Sequence, residues 1–318
     1  MEIMERIYNV GVVPVVVIDN AEDAVPTARA LLAGDVDVME ITFRTPAAAD
    51  AIRAVAEECP EMLVGAGTVM DADQCRRALE LGAKFIVCAG LDEEVVSFCV
   101  ERGVPVLPGT VTPTEIMAAR KHGLRVVKFF PANVYGGLSA MKALAGPFVG
   151  LKFMPTGVVN AQNLAEYMAA PFIFAVGGSW LCTRADIAAG NFEKITALCR
   201  EARNTVLGFE LAHVGVNTDS EEDSLAVCRG FHEAFGFETR KGNSSNFAGS
   251  GVEVMKKQGP GEKGHIAVRT NSVARAAAAL ARRGFAVDES TAREKNGVVT
   301  GVYLKDRMGG FAVHLLQK

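Results

Sequence analysis

Lys128 sits inside the apolar run RVVKFF (125–130), flanked by Val126, Val127, Phe129 and Phe130. A lysine among such neighbours is costly to bury as an ammonium ion. Desolvation favours the neutral amine, which is the form that attacks a ketone. The resulting iminium withdraws electrons from the adjacent carbon–carbon bond and lets it break. A structural lysine paired with a carboxylate is the alternative reading. In VMEITFRTP (38–46), Glu40 could shuttle protons to a carbinolamine and to a nascent aldehyde. Arg44 could clamp a substrate carboxylate through two parallel hydrogen bonds. An internal Glu40–Lys128 or Glu40–Arg44 ion pair is the alternative there. The glycine-bearing stretches PTGVV (155–159) and GGSW (177–180) offer backbone N–H groups to a phosphate, with Gly157, Gly178 and Ser179 as the contact points, or else form simple tight turns.

These groups need a scaffold that brings them together. Short apolar, β-branched runs occur at 12–18, 36–42, 62–66, 84–88, 104–107, 125–130, 151–155 and 172–177. Runs of this kind suit parallel strands covered on both faces. Helical stretches at 21–33, 46–58, 71–81, 92–102 and 113–122 alternate with them. Asp71, Asp92 and Thr112 stand at helix starts, with Glu115 completing a capping box after Thr112. Gly34, Gly82, Gly103 and Gly123 stand where those helices should stop. The pattern predicts an α/β fold, a (β/α)₈ TIM barrel. An open doubly wound sheet is disfavoured, because no Gly-x-Gly-x-x-Gly follows the first strand. Active residues of such barrels gather at the C-terminal ends of strands. Glu40, Thr68, Lys128, Thr156 and Gly177-Gly178-Ser179 meet that filter; Lys84 and Lys152 open their strands and belong near the opposite face.

A second unit is expected from residue 208, with the polar stretch REARN (200–204) as its boundary, so that domains span 1–207 and 208–318. The second segment repeats internally. HVGVNTDSEEDSLAVCRGFHEAFGFETR from His213 parallels HIAVRTNSVARAAAALARRGFAVDES from His265, and FAGSGVEVMKK parallels MGGFAVHLLQK. Two tandem βαβββ modules fit this pattern. His213 and His265 hold one equivalent position, Glu253 and His314 another. A pseudo-twofold axis would bring all four together around a divalent metal: zinc, nickel, manganese or iron. The alternative is ordinary strand histidines with hydrogen-bond partners.

A net charge of −4 with no basic stripe argues against nucleic-acid binding. No apolar run is long enough for a membrane span, and the first residues lack a secretory pattern, so the expected location is cytoplasmic. The seven cysteines are odd in number and scattered, which suits reduced, buried thiols.

EITFRTP (40–46), GAGTV (65–69), PGTVTPTE (108–115), KFFPA (128–132), PTG (155–157) and GGSWL (177–181) together give the first domain a close resemblance to a known family. It resembles the class I 2-keto-3-deoxy-6-phosphogluconate (KDPG) and 4-hydroxy-2-oxoglutarate (KHG) aldolases. The resemblance implies Lys128 as imine lysine, Glu40 as acid/base, Arg44 as carboxylate ligand, and a pocket lined by Thr68, Phe130 and Thr156. It implies small 2-keto acid substrates, no cofactor for the aldolase, and a homotrimer. Two departures stand out: Val158 replaces the second glycine of the family's Pro-Thr-Gly-Gly, and Cys88-Ala89-Gly90 replaces Ser-Pro-Gly. A Cβ at 158 would obstruct close backbone approach to a phosphate, which makes an unphosphorylated 2-keto acid the alternative substrate. The second domain resembles the vicinal oxygen chelate (glyoxalase-like) superfamily, whose paired modules form a metal cup; there the position of His314 more often holds Glu. Other readings of the chain are a binding protein on a retired barrel, or a second domain that is itself the main catalyst.

Overall fold

The computed structural model describes residues 2–157 and 159–318; Val158 lies outside the described residues. Two compact units are present, the first ending at Val206 and the second spanning Leu207–Lys318.

The strands of the first unit are β1 (Val12–Val16), β2 (Val38–Thr42), β3 (Leu63–Val69), β4 (Ile86–Cys88), β5 (Val106–Leu107), β6 (Gly109–Thr110), β7 (Val126–Phe129), β8 (Lys152–Pro155) and β9 (Val176–Gly178). One parallel sheet runs β5-β4-β3-β2-β1-β9 and another runs β6-β7-β8. Parallel bridges Phe153–Ile173 and Thr156–Gly177 join the β8 region to that of β9. On the other side only Pro108 separates β5 from β6, and its carbonyl accepts from the Lys128 N–H at 3.0 Å. The expected strand at 104–107 thus continues to Thr110, but proline has no N–H to donate and breaks it in two. The whole is a curled parallel sheet whose strands are buried on both faces, as their apolar composition requires.

Helix caps follow local chemistry. The side chains of Asp71 and Asp92 accept from the N–H groups of Gln74 and Val95, and Thr112 with Glu115 forms a reciprocal capping box. Gly82, Gly103 and Gly123 have left-handed φ values of 102°, 66° and 80° after their helices. Gly34 departs from that expectation. Its φ is −91°, and the left-handed residue is Asp35 at 64°. Gly34 is needed for another reason: a Cβ there would lie 2.3 Å from the Cβ of Cys199 in the helix Phe192–Leu207.

The stretch 200–204 is no linker. It lies within that helix, and Arg203 is buried, donating to the carbonyls of Asn9 and Val10 and to Asp35 at 3.2 Å. Polar residues marked a boundary in sequence but tie the helix to its own unit, because a buried guanidinium must satisfy its donors. All seven cysteines are free and buried. Among the described residues no helix is long and apolar enough to cross a membrane.

The second unit is mostly β. Its strands are β10 (Glu210–Val216), β11 (Thr239–Lys241), β12 (Ser245–Ala248), β13 (Val252–Met255), β14 (His265–Thr270), β15 (Val287–Lys295), β16 (Val298–Met308) and β17 (Phe311–Gln317). They form one sheet in the order β11-β12-β13-β10-β14-β17-β16-β15, with helices Glu221–Phe235 and Val273–Arg282. β10 pairs in parallel with β13, β14 pairs in parallel with β17, and β10 and β14 meet antiparallel at the centre.

Candidate functional site

Glu40, in the middle of β2, and Lys128, in β7, come from strands that are not neighbours, yet Nζ lies 3.8 Å from Oε1. The two side chains are 0% and 2% exposed. The Glu40 carboxylate fits because Gly67, two residues along β3 from the in-register partner Gly65, has no side chain: a Cβ on Gly67 would lie 2.0 Å from Oε1. Neither Glu40 oxygen has a hydrogen-bond partner among the described residues. Burial raises the Glu40 carboxyl above its ordinary range, although the positive charges of Lys128 and Arg44 pull it down. A carboxyl raised in this way keeps its proton nearer to neutral pH and can donate it. The Lys128 Nζ also lies 5.0 Å from the centre of the Phe130 ring.

The strand rim supplies the other groups. Thr68 lies inside β3 rather than just beyond it, with φ at 57° and a register shift between Gly67 and Val69. Such a bulge re-aims its side chain, and the Thr68 hydroxyl accepts from the Arg44 Nε at 3.1 Å. A cleft of about 310 Å³ is lined by Arg44, Phe130, Thr156, Gly157, Gly177 and Ser179, among others. The Thr156 hydroxyl is buried and has no partner among the described residues. Gly177, rather than Gly178, lines the cleft. Gly178 serves packing instead, since a Cβ there would lie 1.8 Å from the Trp180 ring. Trp180 itself, with Val15 and Thr183, lines the cleft and was not singled out in the sequence. The available signal was that the chain's sole tryptophan stands directly after Gly-Gly-Ser. Lys152 donates instead to the Pro171 carbonyl.

Gly67→Ala is therefore expected to push the Glu40 carboxylate aside. Misplacement on this scale costs about 10²-fold in kcat, with roughly 1–3 kcal/mol of overpacking. Measured kcat and Tm check this together; an alanine variant with parental kcat would show that the Glu40 position is not critical.

The profile of the aldolase family described as KDPG and KHG aldolase matches residues 3–198. The chain belongs to this family. It is an aldolase, a carbon–carbon lyase. It is 47% identical over 204 residues to the 2-dehydro-3-deoxy-phosphogluconate aldolase of Treponema pallidum (strain Nichols), covering 64% of this chain and 97% of the relative. It is 45% identical over 199 residues to the KHG/KDPG aldolase of Escherichia coli (strain K12), covering 62% and 93%. The KDPG aldolase of Legionella pneumophila, solved with pyruvate captured at low pH as a covalent carbinolamine intermediate, superposes with a TM-score of 0.61 at 36% identity, covering 63% of this chain and 98% of that one. The family match stops at residue 198 and leaves the second unit outside it.

In that second unit the aldolase carries a separate cluster. His213 on β10, His265 on β14 and His314 on β17 are buried, and one ring nitrogen from each lies within 4.8 Å of the others. Gly215 makes room, since a Cβ there would lie 2.0 Å from the His265 ring. Glu253 on β13 reaches two of the three: Oε2 lies 2.8 Å from the His213 Nε2 and 3.1 Å from the His265 Nε2. Burial works to raise the Glu253 carboxyl, but hydrogen bonds from His213, His265 and Ser245 outweigh it and hold the group well below the usual carboxylate range. Burial, then the charges of His265 and His213, push His314 down to about 4. The His314 Nε2 and the His265 Nδ1 are buried without hydrogen-bond partners among the described residues.

Proposed function

We propose that the first unit is a (β/α)₈ barrel acting as a class I, Schiff-base aldolase. It would cleave KDPG, 4-hydroxy-2-oxoglutarate or both to pyruvate plus glyceraldehyde 3-phosphate or glyoxylate. The observation that carries this reading is the buried Lys128–Glu40 pair, a nucleophile and a proton carrier 3.8 Å apart. The Lys128 amine adds to the 2-keto carbonyl, and Glu40 gives a proton to the departing hydroxyl as the carbinolamine becomes an iminium. Electrons from the C3–C4 bond flow into the iminium, the aldehyde leaves as Glu40 accepts the C4 hydroxyl proton, and the enamine is protonated at C3. Water then releases pyruvate. Arg44 holds the substrate carboxylate; Thr68 orients the Arg44 guanidinium; Phe130, Thr156, Gly157, Gly177 and Ser179 complete the pocket. The resemblance further supports a homotrimer.

Steady-state assay of pyruvate release from KDPG and from 4-hydroxy-2-oxoglutarate tests the reading; no release from either would sink it. Val158 supports the second reading, a preference for unphosphorylated 2-keto acid, and the ratio of the two kcat/KM values decides between them. Arg44→Ala is expected to raise KM with little change in kcat, because a carboxylate clamp acts alike in ground and transition states. A large fall in kcat alone would move Arg44 out of the binding role.

For the second unit we propose two tandem βαβββ modules of the vicinal oxygen chelate type, holding one divalent metal through His213, Glu253, His265 and His314. Support comes from three converging imidazoles with a carboxylate and from the orphaned, buried His314 Nε2, a donor set suited to zinc, nickel, manganese or iron. When bound, such an ion supplies Lewis-acid polarisation of a coordinated oxygen. Protein purified without a histidine tag is expected to hold about one equivalent of metal by elemental analysis. Less than about a tenth of an equivalent, unchanged by incubation with zinc, manganese or nickel, would rule the site out.

A further inference from the structure

We infer that the cavity beside Tyr303 in the second unit binds the carboxylate or phosphate group of a small molecule whose other oxygen reaches the histidine cluster. The coordination half of this inference rests on the metal reading above; the anion half does not. The cavity holds about 390 Å³ and is lined in part by Gly261, Thr291, Arg293, Tyr303, Lys305 and Arg307. That volume suits a compact metabolite rather than a peptide. Three of the lining groups are cations, and among the described residues none of them makes an ion pair. Asp288 also lines the cavity, but its Oδ1 already accepts from the N–H and hydroxyl of Ser290. All three are exposed, so water meets their donors, but like charges facing one space still repel, and an oxoanion offsets that repulsion.

The cavity adjoins the cluster through two lining residues. The Tyr303 ring stacks on the His314 ring, with centres 4.6 Å apart and planes at 22°. Ala312 precedes His314 by two residues on β17, so both face the same side of the sheet, and Ala312 pairs in register with His265. A molecule bound by its anionic group at Arg293 and Arg307 would therefore have its remaining oxygens directed toward the imidazoles. The ligand class is a short hydroxy or carbonyl compound with one carboxylate or phosphate. Every product of the reaction proposed for the first unit is of this class.

Isothermal titration of the full-length, zinc-loaded protein with 3-phosphoglycerate, glycerate and glycerol 3-phosphate tests it. None of these forms an imine, so Lys128 chemistry does not intrude, and the last two separate carboxylate from phosphate recognition. The expected result is a site that survives Arg44→Ala, weakens at least about tenfold in the Arg293→Ala/Arg307→Ala double variant, recovers partly in the double lysine variant, and weakens again after metal removal. Pyruvate release by the first unit should be unchanged in these variants. Protein that holds its metal but shows only a site abolished by Arg44→Ala would overturn the inference and leave the metal reading standing. Protein that binds no metal yet keeps the arginine-dependent site would overturn the coordination half and the metal reading together, while the anion half holds.

Discussion

Lys128→Met is expected to reduce aldol cleavage by about 10⁴-fold or more, the scale on which an enzyme loses rate with its covalent nucleophile. Methionine preserves the volume of the buried side chain, so the fold should tolerate it better than a truncation. The same substitution should abolish trapping: borohydride added with pyruvate reduces the imine to a stable adduct, and peptide mass spectrometry should place it on Lys128 in the parent. The chain has other lysines at strand starts, Lys84 and Lys152. An adduct on either of them, or undiminished turnover in the methionine variant, would overturn the assignment. Among these three, Lys128 alone is buried against a carboxyl, 3.8 Å away.

Glu40→Gln should lower kcat by about 10²–10⁴-fold, the usual value of a positioned proton carrier, while leaving KM within a few-fold of the parent. Glutamine matches the shape of glutamate but cannot exchange a proton. The pH profile supplies a second readout. Burial holds the Glu40 carboxyl above its ordinary range, so its acid form persists to higher pH than an exposed glutamate and is lost as pH rises through that raised value. The limb of the kcat profile that reports this loss should lie above the ordinary carboxylate range in the parent and vanish in the glutamine variant. A variant with near-parental kcat and an unaltered profile would make Glu40 a structural partner of Lys128 and nothing more.

Much of this was readable before any coordinates. Residue type and period marked the strands, because parallel strands covered on both faces must be apolar throughout; a lysine within such a run stood out for the same reason. Caps at Asp71, Asp92 and Thr112 were readable because capping is a contact between residues three apart. The internal repeat likewise pointed to four residues of the second unit. What sequence spacing does not carry is distance between elements remote in the chain. The approach of Glu40 to Lys128 depends on the curl of the sheet and on the space Gly67 leaves. The aim of Thr68 depends on a left-handed residue that its threonine identity would not suggest. Gly178 reads as a phosphate contact until the Trp180 ring is seen against it, and Arg203, in a polar stretch that reads as a boundary, is enclosed by its carbonyl partners. In the second unit the repeat treats Glu253 and His314 alike, yet the fold places Glu253 on two imidazoles and stacks His314 on Tyr303. Local interactions are written in neighbouring residues; which remote side chains meet is decided by how the sheets twist and where the small residues let them close.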